Sequence, residues 1–104
     1  MPAPISPAAA LLGQRIKGQR LELEATQEQV AEYSGVDVTT IRKIELGMRN
    51  PNLHNIVRIA STLGLDPGDL LVDMTGEMVP AKEHGPSPLE RMIEIRRRHG
   101  ISGA

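Results

Sequence analysis

The sequence predicts an all-α domain of five short helices, spanning about residues 8–72. Apolar residues recur there at helical spacing, and a capping residue precedes most of the apolar segments. Aromatic side chains are nearly absent, with one Tyr and no Phe or Trp, so the core must consist of Leu, Ile, Val, Ala and Met, which favours packed helices over a sheet. Alternating apolar and polar runs, which would indicate hairpins, do not occur.

The first two helices are predicted at about 8–23 and 27–34. Thr26 is a good N-cap for the second helix, and Gln29 follows it at the spacing of a capping box. Gly35 ends this helix, because a glycine adopts positive φ without steric cost.

Three further helices follow closely. Asp37 is the predicted N-cap of the third helix at about 38–46, and Asn52 is the predicted N-cap of the fourth. Asp66 and Pro67 begin a short fifth helix, with proline at the position where its missing N–H costs nothing. The predicted inward or helically spaced apolar positions of the five helices are Leu12, Ile16, Leu23, Val30, Ala31, Ile41, Ile44, Leu53, Ile56, Val57, Ala60, Leu63, Leu70 and Leu71.

The chain changes character after Val72. The predicted organisation is an N-terminal tail at 1–7, the helical domain at 8–72, a linker at 73–86, and a C-terminal helix and tail at 87–104. Ser87, Pro88 and Glu90 form the expected start of the last helix, and Gly100 its end. Leu89, Met92 and Ile93 form a narrow apolar stripe on this helix, which another surface must cover.

Composition excludes several classes of protein. The chain has no cysteine, so disulfide and thiolate chemistry are excluded. No apolar run approaches the roughly 20 residues of a membrane-spanning helix, and the start lacks the features of a signal peptide, which predicts a cytoplasmic protein without a membrane partner. The three histidines lack metal-ligand spacing, and no glycine-rich phosphate loop occurs. We therefore expect no enzyme activity, no metal site and no cofactor.

Charge is unevenly distributed although the net charge is only −1. The basic clusters are Arg15, Lys17 and Arg20 in the first helix, and Arg42, Lys43 and Arg49 in and after the third. The stretch LDPGDLLVD carries three acidic residues and no base. Such segregation can make one face of the domain attractive to phosphate.

A helix, a glycine turn and a second short helix form a helix-turn-helix candidate. The pattern T-Q-x-x-V-A-x-x-x-G-V-x-x-x-x-I-x-x-I-E-x-G-x-R-x-P begins at Thr26 and ends at Pro51. Over about residues 11–71 the chain strongly resembles the Cro/C1-type repressor family, also called the xenobiotic-response-element family. The resemblance implies a five-helix lambda-repressor-like fold, to which the predicted C-terminal helix is an addition. It also implies a sequence-specific DNA-binding transcriptional regulator, a repressor, that acts as a homodimer on double-stranded DNA in the nucleoid.

The resemblance also implies which residues contact DNA. Helix 38–46 would lie in the major groove, where base edges offer donors and acceptors. The implied base-contacting residues are Val38, Thr39 and Lys43, and the implied phosphate-contacting residues are Gln27, Arg42, Arg49 and Asn50. Arg20 and Glu45 match the family's interior ion pair. Glu24 and Ala25 depart from the family pattern, so the first helix either continues or turns differently.

A second interpretation from a different class is an antitoxin or protein-bridging module, whose main partner is another protein. The near-neutral charge and the added C-terminal helix favour it, and that partner would bind through residues 88–99. The same helix could instead dock on its own domain or pair with its copy in a dimer. A salt-sensitive, sequence-specific mobility shift would favour the repressor.

Overall fold

The computed structural model describes residues 3–81 and 87–100 and confirms the all-α fold. The helices are α1 (Pro7–Glu22), α2 (Gln27–Ser34), α3 (Val38–Glu45), α4 (Leu53–Thr62), α5 (Pro67–Leu71) and α6 (Pro88–Arg98), with one 3₁₀ turn at Gly76–Met78. No strand occurs within these two described ranges. The residues of the predicted linker at 82–86, together with 1–2 and 101–104, lie outside the described residues.

Polar side chains fix where the helices begin. The capping residues are Ser6, Thr26, Asp37, Asn52, Asp66 and Ser87, and each accepts a hydrogen bond from a backbone N–H of the first turn that follows it. Five of these caps were predicted, and Ser6 was not. Each cap satisfies an N–H group that has no partner inside the helix.

The core lies between the first five helices. α1 packs against α3 and α5, and α2 packs against α3 and α4. The buried cluster consists of Leu12, Ile16, Val30, Val36, Ile41, Ile44, Ile59, Ala60, Leu63 and Leu70. The core is therefore purely aliphatic, as the composition predicted.

The predicted buried face of α4 was wrong in part. Leu53 and Val57 are 67% and 43% exposed, whereas Ile59 is fully buried. Successive helical residues are about 100° apart, so a face centred between Ile59 and Ala60 leaves Val57 on the flank of the helix. Leu53 lies in the first turn of α4, where its side chain stays in solvent.

Two other apolar residues predicted to face inward are exposed. Leu71 is 40% exposed while its neighbour Leu70 is fully buried, because Leu71 lies about 100° around the helix from Leu70 and points to the flank of α5. Leu23 is exposed as well, because α1 ends one residue before it and Leu23 is its C-cap.

The structure shows how α1 ends just before Glu24 and Ala25, where the sequence departs from the family pattern. α1 does not continue: the Glu24 N–H donates to the Leu21 carbonyl at 3.0 Å and the Ala25 N–H donates to the Arg20 carbonyl at 3.0 Å. This is the Schellman arrangement, which places its C′ residue in the left-handed region. Glu24 accordingly has φ 54°, a conformation that costs a non-glycine residue about 1–2 kcal/mol.

The residues after α5 continue to contact the domain. Met74 packs against the hydrophobic core, and Ile5, Leu71 and Val79 line one apolar cleft of about 320 Å³. The predicted division between domain and linker at residue 72 therefore marks a change in secondary structure but not the end of packing.

A close approach of two helices depends on Gly13. This residue is buried in α1, and a Cβ atom there would collide with the Ile44 carbonyl oxygen and lie 2.7 Å from the Glu45 carbonyl oxygen. Only glycine allows the backbone of α1 to lie against the C-terminal turn of α3 at this distance. The position of α3 in the fold is thus set partly by a missing side chain.

We expect Gly13→Ala to lower the free energy of unfolding by about 1–3 kcal/mol, because α1 and α3 must separate to admit the methyl group. Gly18→Ala is the matched control. Gly18 lies in the same helix, where an added methyl group would meet open space, so this substitution should raise stability by about 0.5–1 kcal/mol. Urea denaturation of both variants measures the difference. A stabilising effect at both positions would contradict the close approach.

Candidate nucleic-acid interface

The turn between α2 and α3 is held by a left-handed glycine and two local hydrogen bonds. Gly35 adopts φ 75°, in the left-handed region that favours glycine. The Val36 N–H donates to the buried Ser34 hydroxyl at 3.1 Å, and the Thr39 N–H donates to the Asp37 carboxylate at 2.9 Å. Sequence reasoning missed Ser34, whose only signal was a small polar residue before the glycine.

One face of α3 is buried and the other is polar. Ile41 and Ile44 point into the core, while Thr39 and Lys43 are exposed one turn apart on the outer side. Val38 is half-buried at the start of the helix. The helix is therefore fixed by its inner face, and its outer side chains are available to a ligand.

A buried ion pair holds the end of α3 to α1. The Arg20 Nε and Nη2 atoms donate to the two oxygens of Glu45 at 2.7 and 2.8 Å, and Arg20 Nη1 donates to the Ala25 carbonyl at 2.9 Å. The two side chains are only 10% and 3% exposed. The hydrogen bond to Glu45 raises the pKa of Arg20 above its ordinary value, because it stabilises the charged guanidinium.

Gln27 joins this network from the first turn of α2. Its Nε2 atom donates to Glu45 Oε1 at 3.1 Å, which uses one of the two hydrogens of the amide. Gln27 and Lys17 also line one shallow depression beside the N-terminus of α2. Lys17 is therefore a basic neighbour of the implied phosphate contact at Gln27. From the sequence, Lys17 was placed in a basic cluster but was not assigned a DNA contact.

The remaining implied contacts lie on α3 and in the loop that follows it. Arg49 and Asn50 are exposed in the segment between α3 and α4. Arg42 is on α3 and forms an ion pair with Glu28 of α2, with Arg42 Nη2 and Glu28 Oε1 2.9 Å apart. The structure thus shows an internal partner for one of the proposed phosphate contacts.

Other kinds of site are not indicated. Within residues 3–81 and 87–100, no group of three or more His, Cys, Asp or Glu side chains could hold a metal ion. A search of the same residues finds no helix long and apolar enough to cross a membrane.

A short α2, a tight turn and an α3 with an exposed polar face define a helix-turn-helix protein. A family model described as Helix-turn-helix (HTH_3) matches residues 16–70, which is more than half of the chain. The protein belongs to this family.

Two relatives with described roles are similar to this chain. Control protein C.BamHI of Bacillus amyloliquefaciens is 40% identical over 62 residues, which are 59% of this chain and 76% of that protein. The cryptic phage CTXphi transcriptional repressor RstR of Vibrio cholerae is 33% identical over 57 residues, which are 55% of this chain and 51% of that protein. One is named a control protein and the other a transcriptional repressor, and with the family and the fold they identify this chain as a DNA-binding transcriptional regulator.

Solved structures show the same fold. The restriction-modification controller protein C.AhdI from Aeromonas hydrophila has a TM-score of 0.58 and 34% identity, covering 60% of this chain and 94% of that one. A SinR/SinI protein complex contains a chain with a TM-score of 0.57 and 25% identity, covering 88% of this chain and 82% of that one.

We expect Arg20→Ala to lower the free energy of unfolding by about 3–5 kcal/mol, because Glu45 would keep a buried charge without its partner. Lys17→Ala removes an exposed base from the same helix and should change stability by less than about 0.5 kcal/mol. Thermal and urea denaturation compare the two. Equal stabilities would show that the ion pair does not support the fold.

Proposed function

We propose that this protein is a sequence-specific transcriptional repressor that binds DNA as a homodimer, with α3 in the major groove. The observation that carries the proposal is the polar outer face of α3, held outward by a buried inner face and by the ion pair at its C-terminal end. A helix of this diameter fits the major groove, and its N-terminal residues meet the base edges. The name of the relative RstR supports repression.

Thr39 and Lys43 form the centre of the proposed base-contacting face. They lie four positions apart on α3, and both side chains are exposed. The Thr39 hydroxyl can donate or accept a hydrogen bond, and the Lys43 ammonium can donate to guanine O6 and N7. Val38, at the first position of the helix, offers methyl groups to a thymine methyl.

The proposed phosphate contacts surround this face. Gln27 has one amide hydrogen beyond its bond to Glu45, and it lies at an N-terminus whose N–H groups favour an anion. Arg42 lies on the flank of α3, and Arg49 and Asn50 follow the helix in an exposed loop. These contacts would fix the position of α3 without carrying sequence information.

The proposed role needs no catalytic group, metal or cofactor, and it places the protein on DNA in the cytoplasmic nucleoid. The domain at 8–72 would bind DNA, and the segment at 87–104 would serve association. The protein-bridging alternative is not favoured, because the relatives are named as a control protein and a repressor.

The homodimer would use α6. The side chains of Leu89, Met92 and Ile93 form an apolar stripe on this helix and are all exposed. In a two-fold dimer the apolar stripe of each copy can pack against the stripe of the other, so both stripes become buried. Two copies of α3 would then meet two half-sites of the DNA.

Single substitutions should separate base contacts from phosphate contacts. Lys43→Ala is expected to weaken binding to the best site by roughly 1–3 kcal/mol and to lose preference at one base position. Thr39→Ala should change preference at a neighbouring position with a smaller loss of affinity. Gln27→Ala should weaken all sequences alike, because phosphates carry no direct sequence information. Titrations against a panel of single-base operator variants measure these patterns.

Salt dependence supplies the control for this panel. Arg49→Ala should reduce the slope of log affinity against log salt by about 1, whereas the neutral Gln27→Ala should leave it nearly unchanged. If Lys43→Ala weakens every operator variant equally, Lys43 contacts the backbone and the proposed base-contacting face is wrong.

Selection from random duplexes should yield inverted repeats, because the two α3 helices of a dimer must lie about 34 Å apart, or roughly 10 base pairs. The protein should lower expression from a reporter promoter that overlaps such a site. Protection of a single half-site by a monomer at micromolar concentration would contradict the dimer.

The proposed dimer surface can be tested in the absence of DNA. Met92→Gln should raise the dimer dissociation constant at least about tenfold, because it places a polar amide in the apolar stripe that the proposed dimer would bury. Arg98→Gln, on the opposite side of α6, should leave it nearly unchanged. Sedimentation equilibrium measures both. If Met92→Gln instead lowers the stability of the monomer, α6 docks on its own domain.

A further inference from the structure

An ion pair joins the two helices of the DNA-binding motif on their outer side. Arg42 of α3 donates from Nη2 to Glu28 Oε1 of α2 at 2.9 Å, and the two side chains are 49% and 65% exposed. Neither side chain contributes to the hydrophobic core. The pair therefore contrasts with the buried Arg20–Glu45 pair, and its location calls for a role other than holding the fold.

Arg42 occupies the flank of α3 that faces α2. It lies about 100° around the helix from Lys43, at the edge of the proposed base-contacting face. The major groove is about 12 Å wide and an α-helix with its side chains is about as wide, so the flanks of a bound helix lie against the two sugar-phosphate walls. With α3 in the major groove, the Arg42 guanidinium would therefore lie close to a phosphate oxygen of the DNA.

Glu28 supplies an anionic oxygen at the same place before DNA arrives. It lies in the first turn of α2, where the helix dipole favours negative charge. The pKa of Glu28 lies below its ordinary value, first because its carboxylate accepts a hydrogen bond from its own backbone N–H and second because Arg42 donates to it. The carboxylate thus uses the same two kinds of donor that a DNA phosphate uses at a helix N-terminus.

We propose that Glu28 is an internal competitor for the DNA phosphate at Arg42, and that it sets the affinity and salt dependence of DNA binding without affecting sequence preference. This inference rests on the proposed function. When Arg42 binds a phosphate of any duplex, its hydrogen bond to Glu28 must break or be shared with the phosphate. The free-energy cost of this loss is the same for all DNA sequences. An exposed pair is weak enough for a phosphate to displace it.

The competition has an electrostatic consequence. With Glu28 ionised beside it, Arg42 contributes little net charge to the DNA-facing surface. Without Glu28, Arg42 can neutralise one further phosphate and release its counterion. Glu28 therefore limits the sequence-independent part of the binding, and the choice of site depends more on Thr39 and Lys43.

The experiment compares Glu28→Gln with Glu32→Gln. Both substitutions remove one negative charge from an exposed position of α2, one turn apart, but only Glu28 pairs with Arg42. Glu28→Gln should tighten binding about two- to fivefold on the selected operator and on random duplex alike. It should also steepen the salt slope by about 1. Glu32→Gln should show a markedly smaller gain and a smaller change in slope.

The double variant tests whether the effect passes through Arg42. In an Arg42→Gln background, Glu28→Gln should gain no more than Glu32→Gln does. The inference is overturned if Glu28→Gln equals Glu32→Gln in the wild-type background, or if its extra gain persists without Arg42. A gain confined to one operator sequence would also overturn it.

The pair can be examined without DNA, which separates this inference from the proposed function. Carboxyl titration by NMR should show the pKa of Glu28 rising toward its ordinary value in Arg42→Gln, and an unchanged pKa would overturn the pairing. Failure of the wild-type protein to bind any duplex would overturn the proposed function and this inference together. Normal operator binding with no gain in Glu28→Gln would overturn this inference alone.

Discussion

The buried ion pair between Arg20 and Glu45 is the interaction on which the geometry of the DNA-binding motif depends. It joins α1 to the C-terminal end of α3, and the same guanidinium binds the Ala25 carbonyl in the turn before α2. Gln27 adds the first turn of α2 to the network. One charged cluster therefore links the three helices that must keep a fixed arrangement, with directional bonds that aliphatic packing alone cannot supply.

The ion pair acts together with a steric constraint. Gly13 lets the backbone of α1 touch the carbonyl groups of Ile44 and Glu45, in the last turn of α3 before its C-cap. With its C-terminal end held in this way and its inner face buried, α3 needs no support from its outer side chains. Those side chains are therefore not needed to hold the helix in place, which is why a short helix with a polar outer face remains stable here.

The sequence predicted the helices well because their starts are local. A capping side chain and the N–H group that it accepts from lie within three residues, so Thr26, Asp37 and Asn52 could be identified without any tertiary information. Exposure was harder to predict, since whether Val57 is covered depends on which helices lie beside α4. The role of Gly13 and the Arg42–Glu28 pair could not be predicted at all, because both arise from contacts between residues distant in the chain. The proposed base and phosphate contacts remain predictions.

The near-neutral charge of the chain favoured a protein partner, and some of its basic side chains are already bound within the protein. Arg20 and Arg42 are each paired with a carboxylate, Arg15 donates to the Leu70 carbonyl, and Arg97 is paired with Glu94. A total of twelve Lys and Arg residues therefore overstates the charge available to DNA. Sequence-independent attraction grows with every phosphate neutralised, so each base that is paired within the protein lowers the affinity for arbitrary DNA. In the proposed complex, base contacts and a second half-site would supply the affinity that arbitrary DNA does not receive.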